Sequence, residues 1–328
     1  MKKHKLIKEL VYSIVSLLLV LVMLYSGLRI LESTVLRPNL GGQEEFVSKT
    51  IERDGVAYFP RQDITTVLVI GVDQFGPVQD SGVYMNRGSS DLNVVLIFDE
   101  AAKVCNVLHL NRDTMLDVSV LGLGGKPAGT IYGQLALAHT YGSGLEDSCV
   151  NTVNTVSNFL YGIEIDYYLA VNMDAIAIVN DAVGGVTVNV TEDFSQVDPS
   201  IGMGEVTLMG DHALSFVRSR KGVGNQMNLS RISRHQEYLE GFFKALEQKR
   251  ETDVAFLMDA YEQVQPYMVT SCSANVVSGM LDRYLDYELG EMVSPAGENV
   301  RGEEYMEFYV DEEKLEALIL RLFYAPKE

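Results

Sequence analysis

The segment Leu10–Leu28 (LVYSIVSLLLVLVMLYSGL) carries no charge and lies between Glu9 and Arg29. As a helix it is long enough to cross a hydrocarbon core about 30 Å thick. A water-soluble fold has no ordinary place for such a run, so it constrains the chain more than any other feature. Lys2, Lys3, Lys5 and Lys8 precede it, which predicts an N-terminus held in the cytoplasm. The run is longer than the core of a secretory signal, and neither an Ala-x-Ala site nor a lipidatable Cys follows. The expected layout is a cytoplasmic tail at 1–9, a single transmembrane helix at 10–28, an extracellular stalk at 29–62 and one domain at 63–328. Pro38, Gly41 and Gly42 among polar residues support the stalk. The expected location is the cell membrane, single-pass, with the domain outside.

That domain reads as globular, because hydrophobic residues make up 47% of the chain and charged residues 22%. The net charge of −19, from 26 basic and 45 acidic residues, argues against a nucleic-acid partner. Cys105, Cys149 and Cys272 are too few for a disulfide framework and too widely spaced for a zinc site. They read as buried free thiols, with one disulfide left open outside the cytoplasm.

Thr65–Gly71, Leu92–Phe98 and Val104–Leu110 are short, nearly continuous apolar runs, the pattern of strands buried on both faces. Only a five-residue connection, DEAAK, separates the last two, so an antiparallel hairpin is predicted. Asp166–Val171 and Val186–Val190 read as further strands, and Ala213–Arg220 as a strand or a helical turn. Helices are predicted over Leu135–Tyr141, Leu145–Leu160, Met173–Val183, Leu229–Arg250, Val254–Tyr267, Ala274–Tyr287 and Glu312–Phe323. The alternation predicts an α/β fold, a three-layer sandwich with a mixed central sheet flanked by helices.

If the first three strands form a meander, the first ends, the second begins and the third ends at one edge. That edge gathers Asp73, Asp91, Arg112 and Asp113, with the loop from Val72 to Ser90 lying over it. The stretch from His212 to Gln236 contains no acidic residue but holds Arg218, Arg220, Lys221, Arg231 and Arg234. A helix starting near Asn228 would put Arg231, Arg234 and His235 on one face of its first turns. Cations there oppose the helix dipole, a local conflict that a bound anion resolves. Phosphate or pyrophosphate binding is the sharper reading; a solvated basic face paired with the acidic remainder is the other. Two carboxylates opposite such a cluster suit Mg²⁺ or Mn²⁺ bridging to phosphate oxygens. Gly122–Thr130 (GLGGKPAGT) lacks the GxxxxGK[ST] spacing and reads as a surface loop, and neither HExxH nor GxSxG occurs. His109, inside an apolar strand, reads as a core histidine.

These residues resemble the LytR-CpsA-Psr family of bacterial cell-envelope proteins. The matching pieces are VLVIGVD at 67–73, SSDLNVVLI at 89–97, LNRDTM at 110–115, QLALAHTYG at 134–142, the segment at 165–190, LMGDHALSFVRSRK at 208–221 and RISRHQ at 231–236. The resemblance implies a phosphotransferase that moves a glycopolymer from a polyprenyl-pyrophosphate lipid to a peptidoglycan acceptor. It implies metal-binding acids at Asp73 and Asp91, and pyrophosphate-binding arginines at Arg112, Arg218, Arg220 and Arg231, with Arg234 beside them. Asp113 matches the acid that follows the first arginine; Arg112 and Asp113 are the expected catalytic residues, with Asp113 either accepting the acceptor's proton or orienting Arg112, and His235 is expected to donate to phosphate. The chain departs from the family pattern where Asn111 replaces Pro, Phe75 and Ser89 replace Arg, Gln134 replaces Lys, Asn228 replaces Asp and His235 replaces Gln. The competing expectations are a module that binds polyprenyl-pyrophosphate lipid without transfer, and an envelope scaffold.

Overall fold

The computed structural model describes residues 50–326, apart from 84, 123–124, 220–221, 224–227 and 254–255. The tail at 1–9, the apolar run at 10–28 and the first part of the expected stalk lie outside the described residues. Among the described residues no helix is long and apolar enough to cross a membrane.

Asp54-Gly55 turns the chain where the sequence reading places the end of a stalk. Both residues have positive φ, 54° and 77°. That is the backbone of a type I′ turn, for which Asp-Gly is a preferred sequence. The turn joins Ile51–Arg53 (β1) to Val56–Pro60 (β2) as an antiparallel hairpin. Residues 51–60 therefore belong to the folded domain rather than to a stalk.

The predicted meander follows. Ile64–Val72 (β3) pairs antiparallel with Ser90–Asp99 (β4), which pairs antiparallel with Val104–Leu110 (β5). Met115–Leu121 (β6) and Pro127–Gln134 (β7) form a hairpin, so most of the Gly122–Thr130 segment expected as loop is its connection and second strand. A 3₁₀ turn at Leu135–Thr140 leads to helix Glu146–Phe159 (α1). Tyr167–Asn172 (β8) lies parallel to β3 and passes directly into Met173–Ala182 (α2). Val186–Val190 (β9) and Gly204–Leu208 (β10) form a separate hairpin.

Asp211–Arg218 (α3) is a helix, which settles residues 213–218 against the strand expectation. Gly210 has a positive φ of 52° and turns the chain into the helix. Ala213 and Phe216, three apart, are both buried, as one helical face requires. Asn228–Thr252 (α4) and Phe256–Val264 (α5) follow, with a 3₁₀ turn at Gln265–Tyr267 where Pro266 ends the predicted longer helix. Met268–Thr270 (β11), Ala274–Tyr284 (α6) and Glu288–Val293 (β12) come next. Gly297–Arg301 (β13) and Met306–Val310 (β14) form a last hairpin before Glu312–Phe323 (α7) and Tyr324–Pro326 (β15). β15 pairs with β2, so the two ends of the described chain close one small sheet.

The central sheet has the order β11-β8-β3-β4-β5-β12 and is mixed: β8 and β12 run parallel to their inner neighbours, the others antiparallel. Alternation along β8 shows both faces covered. Tyr168 lies near Cys149 of α1, whereas Val171 lines a cavity with Ile176 of α2 and Tyr238 of α4. Helices thus cover the sheet on both sides, as the three-layer reading expects. A second core lies around β9, β10 and α3, where Phe194 stacks on Phe216 with centroids 5.5 Å apart. All three cysteines are free and buried.

Candidate functional site

The strand register creates the site. Gly71 pairs with Leu92 and Val72 with Ser90, so Asp91 is the extra residue of a β-bulge. A bulge re-aims one side chain without disturbing the rest of the ladder. Gly71 is needed opposite it, since a Cβ there would lie 2.8 Å from that of Leu92. One residue beyond β3, the Asp73 amide donates to the Ser89 carbonyl at 3.0 Å. Asp73 and Asp91 therefore flank the same strand pair at one edge, where the meander reading expects them.

Three arginines reach these acids from three elements. Arg112, just after β5, pairs through Nη1 with Asp91 Oδ1. Arg231, in the first turn of α4, donates from Nη1 to Asp91 Oδ2 at 3.2 Å and from Nη2 to the Asp91 carbonyl at 3.5 Å. Arg218, at the end of α3, donates to Asp73 Oδ1 at 3.0 Å. Ser89, where the resemblance expects Arg, donates its hydroxyl to Asp91 at 3.3 Å. Phe75, another such position, lies beneath the Arg218 guanidinium, 5.2 Å from its centroid. Arg87 is exposed on the same loop.

Other predicted residues stand further back. Asp113 is buried, 3.4 Å from Arg112 Nε, and accepts from Gln134 Nε2 at 3.2 Å. Asn111 accepts the Asp113 amide at 3.0 Å and so shapes the turn that carries Arg112 and Asp113. Arg234, expected to bind substrate, is turned inward. Its Nη1 donates to the Phe216 carbonyl at 2.5 Å and its Nη2 to the Ser219 carbonyl, and its Nε lies 3.0 Å from Glu192. It clamps the end of α3, and burial lowers its pKa despite Glu192. Arg220 lies outside the described residues, as does Lys221.

His235 is also buried, and it does not present a cation to substrate. Its Nε2 donates to the Val217 carbonyl at 2.9 Å, which leaves Nδ1 to accept from His109 Nε2 at 3.3 Å. Burial, then His109 and Arg231, push the His235 pKa well below its usual value. Burial and Arg231 push His109 down to about 4. His109 is therefore a core histidine with a specific partner, and among the described residues its Nδ1 has none.

The sequence reading missed Asn172. It caps α2 by accepting from the Asp174 and Ala175 amides at 3.1 and 3.4 Å. Its Nδ2 donates to the Gly76 carbonyl at 2.5 Å, and Asp174 accepts the Gly76 amide at 2.6 Å, so the start of the 73–89 loop is tied to the helix N-terminus. The Asn at a strand-to-helix junction was the available signal. The apolar cavity beside the site was also unread. Val171, Ile176, Tyr238 and Leu239 line it together with Asp91, Arg218 and Arg231.

The donor set fits a hard divalent cation. Asp73 and Asp91 offer carboxylate oxygens from neighbouring strand ends, and among the described residues no group of three or more acids, histidines or cysteines is placed to hold a metal ion. Such a pair suits Mg²⁺ or Mn²⁺ whose shell is completed by phosphate oxygens and water.

Comparison with known proteins agrees with this architecture. The model of the LytR_cpsA_psr family matches residues 42–320. The Bacillus licheniformis protein named polyisoprenyl-teichoic acid--peptidoglycan teichoic acid transferase TagU is 28% identical over 240 residues, 73% of this chain and 71% of that protein. The Bacillus subtilis protein of the same name is 31% identical over 177 residues, 54% of this chain and about half, 51%, of its own length. Among solved structures, TagT bound to LI-WTA superposes with a TM-score of 0.61 at 24% identity, covering 84% of this chain and 94% of that one. B. subtilis TagV gives 0.60 at 24% identity, covering 80% and 96%. These structural likenesses establish the fold, and the family match spans nearly all of the described domain: the chain belongs to the LytR_cpsA_psr family.

Proposed function

We propose that the protein is a phosphotransferase of cell-wall assembly, moving a glycopolymer from a polyprenyl-pyrophosphate carrier to peptidoglycan. One observation carries this reading: the arginine–aspartate cluster opens onto an apolar cavity, and Arg218 and Arg231 line both. A site with three arginines and two metal-compatible carboxylates at its mouth and an apolar interior suits an amphiphile with an anionic head and a hydrocarbon tail. The names of the TagU relatives support the same substrate class.

In this reading Arg112, Arg218 and Arg231 exchange part of their carboxylate pairing for pyrophosphate oxygens and neutralise charge at the reacting phosphorus. The cavity takes the first carbons of the prenyl chain. An acceptor hydroxyl oxygen bonds to the phosphorus that carries the polymer, the bond from that phosphorus to the bridging oxygen breaks, and prenyl phosphate leaves with the electron pair while the hydroxyl proton passes to the leaving phosphate or to water. Asp73 and Asp91 would hold Mg²⁺ or Mn²⁺, which when bound adds positive charge at the phosphate oxygens. Asp113, buried behind Arg112, is assigned to positioning that guanidinium rather than to proton transfer. Residues 10–28 are proposed as a membrane anchor that leaves the domain outside, where carrier and wall meet.

Release of prenyl phosphate, measured with the full-length protein in detergent micelles, tests this. Release that depends on Mg²⁺ and a wall-glycan acceptor, and that is lost in Asp91→Ala, is expected. Donor binding without release under any divalent cation would instead make the chain a carrier-lipid-binding module.

A further inference from the structure

Beyond the phosphate site, the register of two hairpins places exposed tyrosines on one face. β14 lies beside β6 through a parallel bridge between Thr114 and Phe308, and the Phe308 amide donates to the Asp113 carbonyl at 2.8 Å. β13 pairs with β14 and β7 with β6, and that single bridge sets the two separate hairpins edge to edge in the order β13, β14, β6, β7. Side chains alternate across such a layer. Leu116, Val118 and Phe308 are buried, so Asp117, Glu307 and Tyr309 point to the other side. Tyr132 pairs with Asp117 and shares its face.

Tyr132 is 62% exposed and Tyr309 40%. Tyr305, just before β14, is 44% exposed. The hydroxyl of Tyr309 donates to Glu307 at 2.6 Å, which holds its ring in place. That carboxylate pushes the Tyr309 hydroxyl up to about 12, and Tyr132 and Tyr305 add to the effect, as neighbours on one surface do. Tyr309 and Tyr132 are two strand spacings apart and offset by two residues along the strands, about 12 Å in all, close to the length of a disaccharide. The face also ends at the reacting centre. β6 starts two residues after Asp113, and Gln134 at the end of β7 bonds both Asp113 and, at 2.7 Å, the Met306 carbonyl.

We propose that this face is the acceptor subsite, binding the neutral glycan backbone of the wall polymer so that a sugar hydroxyl is delivered to the phosphate site. The proposal rests on the transfer reading above. Rigid aromatic rings offer flat apolar surface to the C–H faces of pyranose rings at small entropic cost, and carboxylates accept from sugar hydroxyls. The chemistry also disfavours the other natural occupant of exposed tyrosines, a lipid surface. Asp117, Glu298 and Glu307 make the face acidic, and an anionic leaflet repels such a patch.

The test uses the full-length chain in detergent micelles and two probes, a β-1,4-linked N-acetylglucosamine tetrasaccharide and a short-chain prenyl pyrophosphate. Tyr132→Ala and Tyr309→Ala should each weaken tetrasaccharide binding about tenfold and leave prenyl-pyrophosphate affinity unchanged. Tyr132→Phe should retain binding, because the ring remains. Tyr132→Ser, at the most exposed of the three, replaces any Ala variant that fails to give the parent's melting curve. Equal tetrasaccharide binding in parent and Ala variants overturns the proposal, as does a parent that binds none. Loss of binding to anionic vesicles instead would assign the face to the membrane and overturn it too. If tetrasaccharide binding depends on the tyrosines while prenyl phosphate is never released, the glycan site stands and the transfer reading fails. If release proceeds and tetrasaccharide binding ignores the tyrosines, the reverse holds.

Discussion

Arg218, Arg231 and Arg234 are separated by few residues and have three different environments. Arg218 is 45% exposed over its side chain and meets a half-open Asp73. Such a pair contributes at most about 1 kcal/mol to folding. Arg218→Ala should therefore leave the melting temperature nearly unchanged. It should weaken prenyl-pyrophosphate binding roughly 10- to 100-fold, the value of one charge-assisted hydrogen bond. Titration calorimetry and a thermal melt on one sample would separate the two effects. Arg234 is the opposite case. Its guanidinium is buried against Glu192, lies over Phe194 and satisfies two carbonyls at the end of α3. Arg234→Ala would leave a partly buried carboxylate and two helix-end carbonyls without their partner, at a cost of about 2–3 kcal/mol. Urea denaturation should show that loss. Stability unchanged within about 0.5 kcal/mol would remove Arg234 from the clamp role.

Among the elements, the contact between β5 and α4 has a pH dependence built into it. His109 and His235 share one hydrogen bond, and His235 also bonds the carbonyl before Arg218. Arg231 and Arg234 on α4 add positive charge around the pair. Both histidines are held neutral in the fold, whereas the unfolded chain takes up protons below about 6.5. The stability from this contact is thus complete above pH 6.5 and falls as the pH drops toward about 4, the folded value for His109. Melting temperatures measured between pH 7 and pH 4 should fall through that window. His235→Gln, which keeps a donor for the Val217 carbonyl, should flatten the slope; an unchanged slope would place the titration elsewhere. At the start of α2, Asn172→Ala should cost about 1 kcal/mol from the lost cap. It should also raise proteolysis in the 73–89 loop, which Asn172 and Asp174 hold.

For the whole molecule, the proposed topology makes a direct prediction. Protease added to intact protoplasts should degrade the domain beyond about residue 32, and a protected domain would reverse the orientation. Much of the architecture was legible in the residues. The buried strands at 64–72, 90–99 and 104–110 were readable because apolar runs are a local signal, and the helix at Glu312–Phe323 because its apolar spacing and Asp311 cap are local too. The first hairpin was legible only in Asp54-Gly55, and its strands needed β15, the far end of the described chain, to complete their sheet. The 213–220 segment was ambiguous because its eight residues fit either period, and burial of Ala213 and Phe216 against the second core decided it. What the amino-acid sequence determined by itself is the meander, the mixed α/β class and the gathering of Asp73, Asp91, Arg112 and Asp113 at one edge. What only the tertiary structure decided is which charges face a ligand. The bulge sets Asp91 between Arg112 and Arg231 beside the cavity, and the helical course of α3 turns Arg218 to the same cavity while its free carbonyls draw Arg234 and His235 inside. Composition and spacing report which charges are present; their direction is set by backbone torsions and by buried carbonyls that require a partner.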